Sequence, residues 1–113
     1  MLGGPFDTVA KLFYIFGWFG QCDWLAANTD TARALAGAFY DAARWGNAHR
    51  AESAVIESKY TKVDLTIVRS MGRNLMSASL NAAYIQPLLD MATRYKILDR
   101  PFTAAELIAP GFT

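Results

Sequence analysis

Residues 28–60 read NTDTARALAGAFYDAARWGNAHRAESAVIESKY, and this stretch decides the fold class. Asn28, Thr29 and Asp30 open it with side chains able to accept from the first free backbone N–H groups of a helix. Beyond them Leu35, Phe39, Ala42 and Gly46 recur at intervals of three and four, while Arg33, Tyr40, Asp41, Arg44 and Asn47 fall on the opposite side. That spacing predicts an amphipathic helix whose packing face is small, rich in Ala and Gly, with Phe39 as its one large knob. Gly46 and Asn47 tolerate the left-handed geometry of a helix end. A second helix is expected from about Arg50 to Lys59, packing through Ala51, Ala54, Val55 and Ser58, with Glu52 and Glu57 solvated.

Outward from this stretch, the chain has 113 residues, enough for one modest core. Hydrophobic residues make up 53% and charged residues 19%, which is too apolar for a disordered segment. The net charge is +1 with both signs scattered, so no basic stripe exists to follow a phosphate backbone, and nucleic acid is not an expected partner. The longest apolar run falls far short of the roughly 20 residues that span a bilayer, and the start MLGGPFDTVAK lacks the basic region of an export signal. The chain as it stands is expected to be soluble and not exported.

N-terminal to the central stretch, Gly3, Gly4 and Pro5 predict a turning start and Phe6 to Lys11 a short helical turn. Leu12 to Phe19, LFYIFGWF, is a continuous apolar run of the kind found in a strand buried on both faces, with Gly17 marking a bulge or a close approach. A buried helical turn is the rival. Asp23 to Ala27 predicts a single helical turn. C-terminal to the central stretch, Asp64 is a plausible cap for a third helix carrying Ile67, Val68 and Met71 inward. Met71 to Ser79 is aperiodic and reads as a loop. Asn81 caps a fourth helix in which Ile85, Leu88, Leu89, Ala92 and Tyr95 share a face. Pro87 sits inside that pattern without a backbone donor, so the helix is either kinked there or begins later than Asn81. Thr103-Ala104-Ala105-Glu106 fits a capping box opening a last short helix. The expected class is therefore mainly α with one short N-terminal strand, in a single domain over residues 1–113.

No enzyme is expected. His49 is the only histidine, which excludes a His–His metal pair and leaves a helix-junction residue bonded to a backbone carbonyl as the stronger expectation. Cys22 has no second cysteine to pair with, and a buried structural thiol is preferred over a reactive one. The carboxylates show no spacing suited to acid–base work, and the glycines lack the spacing of either phosphate-binding loop. No cofactor is implied. The aromatics Tyr14, Phe16, Trp18 and Phe19 are expected mostly in the core. Trp18 and Gln21, at the end of the apolar run, are the expected ligand contacts, because ligands of open α/β sheets sit beyond strand ends.

Three segments carry a family resemblance: FYIFGWFGQCDWLAANTDTARAL, FYDAARWGNAHRAESAVIESKYTKVD and LNAAYIQPLLDMATRYKILDRPFTAAELI. The second contains the junction Trp45-Gly46-Asn47-Ala48-His49 followed by Ala51-Glu52-Ser53-Ala54. The third closes on Arg100-Pro101-Phe102 and Glu106-Leu107-Ile108. In this order they resemble the C-terminal part of ABC-transporter substrate-binding proteins of the nitrate/sulfonate/taurine type, a family that often has a proline where Pro87 stands. The resemblance implies a fragment of a type II periplasmic-binding-protein α/β fold, a small-anion ligand, a permease partner and a periplasmic location. It also implies that the first lobe and most of the second are missing. A chain so shortened is expected to self-associate, covering its open sheet edge and apolar face as a homo-oligomer. A free-standing helical interaction module is the alternative.

Overall fold

The computed structural model describes residues 9–112; the turning start expected at residues 3–5 lies outside them, and of the helical turn expected over Phe6 to Lys11 only residues 9–11 are described, which form no helix. The described chain is helical: α1 (Cys22–Ala27), α2 (Thr29–Ala48), α3 (Arg50–Thr61), α4 (Leu65–Ser70) and α5 (Gln86–Arg94), with single 3₁₀ turns at Ala82–Tyr84 and Ala104–Glu106. No described helix is long and apolar enough to cross a membrane. The chain divides into two compact units, one formed by residues 30–79 and the other by residues 1–29 with 80–113.

The 30–79 unit is built on α2, α3 and α4. Along α2 the buried positions are Ala32, Ala43 and Gly46, with Ala36 and Phe39 half-buried between them. Small residues at this spacing allow close approach, as expected, but the buried stripe is rotated by about one position. Leu35 and Ala42 face solvent. In α3 Ala54 is fully buried and Ser53, Glu57 and Ser58 are half-buried, whereas Ala51 and Val55 are exposed. The chain leaves α3 through Lys62, whose left-handed φ of 63° lets its N–H donate to the Ser58 carbonyl. Asp64 then caps α4 as its position predicts, its carboxylate accepting from the Thr66 N–H at 2.8 Å. α4 packs on α3 and buries Val68 completely. Ile67 and Met71, expected inward, are exposed, because a helix of under two turns has room for one inward residue.

The other unit joins α1 and the segment before it to the C-terminal elements. Asn28 and Thr29 stand where α2 opens, as expected, but their side chains turn back onto α1. The Asn28 amide donates to the Trp24 carbonyl at 2.9 Å, and the Thr29 hydroxyl donates to the Leu25 carbonyl at 3.0 Å. Asn81 does cap, its side chain accepting from the Ala83 N–H at 2.9 Å, but the turn it opens is a 3₁₀ turn. Pro87 falls in the first turn of α5, where its missing N–H costs no hydrogen bond, so the helix starts late and is not kinked at the proline. Ile85, Leu88, Leu89 and Ala92 are half-buried on one side, while Tyr95 is exposed. Gln86 ties the tail to α5: its carbonyl accepts from the Ala104 N–H at 2.8 Å, and its amide donates to Asp90 at 2.8 Å. Glu106 makes its half of the capping box, accepting from the Thr103 N–H at 2.7 Å. Ala104 is the buried residue of this turn.

The strand expected over Leu12 to Phe19 does not form, and no strand exists among the described residues. A strand requires a neighbouring extended segment to complete its ladder, and none of the described segments supplies one. Tyr14 anchors the run locally instead: its N–H donates to the Tyr84 carbonyl at 3.1 Å, its hydroxyl accepts from the Asn81 N–H at 3.0 Å, and the two tyrosine rings meet edge to face at 5.6 Å. Beyond that anchor the run is irregular and solvent-facing, with Phe16 77% and Phe19 87% exposed. Most of these aromatics are therefore not core.

Candidate functional site

Trp18 and Gln21 both lie in the exposed, irregular segment before α1. Gln21 is the residue preceding α1 in extended geometry, and its side chain makes no capping hydrogen bond. Trp18 is 79% exposed. Both side chains are exposed.

A separate hollow of about 410 Å³ lies along α5, lined by Val9, Pro87, Asp90, Met91, Arg94 and Tyr95. Its volume falls in the range of small-molecule sites. Arg94 brings a cation to it, Asp90 a carboxylate, Tyr95 an aromatic ring and Met91 an apolar chain, so the lining selects neither sign of charge. Neither Trp18 nor Gln21 lines this hollow. Arg94 follows Pro87 by seven residues and Asp90 by four, so helical spacing alone places the three on one side of α5. The i, i+3, i+7 spacing is the sequence signal for this grouping.

Arg73, in the segment expected to be a loop, is held by three acceptors on α3. Its guanidinium donates to Ser53 Oγ at 3.1 Å, to Glu57 Oε2 at 3.3 Å and to the Arg50 carbonyl. The Arg50 guanidinium in turn donates to the Arg73 carbonyl at 3.3 Å. Arg73 is 12% exposed and Glu57 34%, so this ion pair is shielded, and Glu57 is no ordinary solvated residue. Two helical turns of α3 thus present one hydroxyl, one carboxylate and one carbonyl to a single planar donor.

Three residues further on, Asn47 at the end of α2 pairs with Met76 as a strand neighbour would. Its amide donates to the Met76 carbonyl at 2.6 Å and its side-chain oxygen accepts from the Met76 N–H at 3.0 Å. The Met76 side chain covers Gly46, where an added Cβ would meet the Met76 methyl at 2.3 Å. At the same corner Trp45 stacks on His49 at 4.9 Å, and His49 Nδ1 lies 2.9 Å from the Trp45 carbonyl, the junction role expected of it. The contacts of this corner join α2, α3 and the Met76 segment, so its chemistry is positioning.

Cys22 is free and exposed at the start of α1, which corrects the expectation of a buried thiol: a six-residue helix without a buried residue offers it no interior. Among the described residues no group of His, Cys, Asp and Glu is arranged to hold a metal ion. Two carboxyls are held below their ordinary range. For Asp64 the Thr66 N–H is the main cause, followed by the Thr66 hydroxyl. For Glu106 it is the Thr103 N–H, with Arg100 at 3.6 Å contributing. Both are capping groups and belong to helix ends.

No family model, curated protein or solved structure matches this chain.

Proposed function

We propose that the chain is the helical C-terminal part of a periplasmic solute-binding component of an ABC uptake transporter, serving a small anion such as nitrate or a sulfonate. One observation carries the proposal: the Trp45–His49 junction, the most distinctive segment of the family resemblance, is built as a rigid corner. There α2 ends, Trp45 stacks on His49, Asn47 clips Met76, and α3 starts at Arg50. The remaining boundaries support the same reading, with Pro87 opening α5 and Glu106 closing the tail. In this proposal the chain is a fragment of a type II α/β binding-protein fold, an ABC permease is its membrane partner, and Trp18 and Gln21 face the ligand.

The test is a thermal-shift and calorimetric titration of the whole gene product with nitrate, taurine and short alkanesulfonates. A ligand at about a hundred times its Kd stabilises the native state by about 2.7 kcal/mol. The expected result is such a shift with one of these anions, weakened by Trp18→Ala and by Gln21→Ala. A gene product that answers none of them, encoded away from any permease and ATPase, refutes the proposal.

A helical interaction module is the second reading, favoured by the exposure of Phe16, Phe19, Tyr60 and Ile97. Such a module binds a macromolecular surface and leaves the anion titrations flat.

A further inference from the structure

We propose that the corner of α2 and α3 is a receptor for an extended peptide carrying arginine and, three residues on, methionine. Residues 73–76 of the same chain occupy it as an autoinhibitory strap. Residues 72–77 form no helix, turn or bend. Among the described residues, Arg73 and Met76 make every hydrogen bond of residues 72–76, and each of these bonds ends on α2 or α3. Between the two anchors Asn74 is exposed and Leu75 is 72% exposed. The segment is held at two points and faces solvent between them, as a bound peptide does.

Each anchor has the chemistry of recognition. Asn47 takes both the N–H and the C=O of one residue, Met76, at 3.0 and 2.6 Å. A side-chain amide carries a donor and an acceptor, so it reads extended backbone whatever side chain that backbone bears. The Met76 chain lies over Gly46, where the missing Cβ leaves room for its methyl, so this floor takes a long unbranched side chain. Ser53 Oγ, Glu57 Oε2 and the Arg50 carbonyl form the second cradle, matched to a planar guanidinium and not to an ammonium. Lifting the strap takes the guanidinium away from the Glu57 carboxylate, so the emptied cradle favours another arginine. The occupant in place of the strap is a segment of another protein. A second copy offers the identical segment and gains nothing over the tethered one. A different segment adds contacts through the residues that stand where Asn74 and Leu75 make no hydrogen bond.

The test uses the full chain and a fluorescein-labelled peptide, Gly-Arg-Asn-Leu-Met-Ser, the sequence of residues 72–77. Arg73→Ala with Met76→Ala vacates the corner. Fluorescence anisotropy is expected to show this variant binding the peptide at least about tenfold more tightly than wild type, whose tethered strap competes at an effective concentration of about millimolar. Adding Asn47→Ala to that variant, or replacing the peptide's arginine with lysine, lowers the affinity about tenfold. In the wild-type chain, unlabelled peptide well above that concentration is expected to speed exchange of the Met76 amide by releasing it from Asn47, while the Ala54 amide of α3 stays protected.

Far-UV circular dichroism identifies the variants that keep their helices. A helical vacated variant that binds no peptide overturns the proposal, and so does binding indifferent to Asn47→Ala and to the lysine peptide. If the double variant loses its helices, the wild-type exchange decides, and a Met76 rate unchanged by peptide overturns the proposal. A wild-type dimer that the peptide dissociates assigns the corner to a second copy and overturns the partner assignment. Trp18 and Gln21 belong to the other unit, so failure of the anion titrations leaves this site standing, and the reverse holds.

Discussion

Removing the Arg73 guanidinium is expected to loosen the 30–79 unit selectively. Its side chain is 12% exposed and reaches three acceptors on α3, of which Glu57 is 34% exposed. A solvent-exposed ion pair contributes about 0–1 kcal/mol, while breaking a buried one costs about 3–5 kcal/mol. This pair stands between those limits, at about 2 kcal/mol. Loss of the aliphatic stem from the α3 surface adds a fraction more. Arg73→Ala is therefore expected to cost about 2–3 kcal/mol, with Ser53 partly compensating through its contacts to the Arg50 and Gly46 carbonyls. Arg73→Lys keeps the charge but not the planar fork and recovers about half of the loss.

Amide hydrogen exchange followed by NMR reports the effect locally, because protection measures the opening free energy of each unit. Protection of the Ala54 and Val68 amides is expected to fall about thirty- to 150-fold in Arg73→Ala. The Leu89 and Ala92 amides, in the other unit, serve as the reference. A fall of less than threefold at Ala54 and Val68 refutes the shielded-clip account. An equal fall at Leu89 and Ala92 refutes its confinement to one unit. Glu57→Gln in the same assay separates the charge term from the geometry, since Gln still offers an acceptor oxygen to Arg73.

Two further outcomes follow. Gly46→Ala sets a gain in helix propensity of about 1 kcal/mol against displacement of the Met76 methyl, so it is expected to change stability little in the wild-type background and to stabilise in Met76→Ala; urea denaturation of the four variants checks this, and additivity refutes it. Asp64 and Glu106 have carboxyls lower in the folded than in the unfolded chain, so each contributes stability that is complete above its ordinary value, 3.8 or 4.5, and is lost as pH falls through the lower folded value. Both are exposed, so the effect is confined to their caps: Thr66 and Thr103 amide protection is expected to decline in that acid window, and protection that persists through carboxyl protonation refutes the capping assignment.

Periodicity and capping chemistry made the helices legible. Local rules act within a few residues, so Asp64, Asn81 and Glu106 could be assigned from neighbours at two or three positions' distance. The same locality explains two errors of detail. Asn28 and Thr29 stand at the start of α2, but the expected acceptors act as donors to the α1 carbonyls, a use their side chains allow equally. The buried stripe of α2 was displaced by one position because Ala-rich helices present nearly equivalent small faces, and only the neighbour selects among them.

Taken alone, the sequence determined that this protein is mainly helical, where most helices begin and end, and that His49 is a junction residue. Tertiary structure decided what lies far apart along the chain. Arg73 meets Ser53 and Glu57, Asn47 meets Met76, and Gln86 meets Ala104, pairings of 16 to 29 residues' separation that no local pattern encodes. It also decided the fate of Leu12 to Phe19. An apolar, β-prone run becomes a strand only when another segment completes its ladder, because a backbone hydrogen bond needs two partners while hydrophobicity is the property of one.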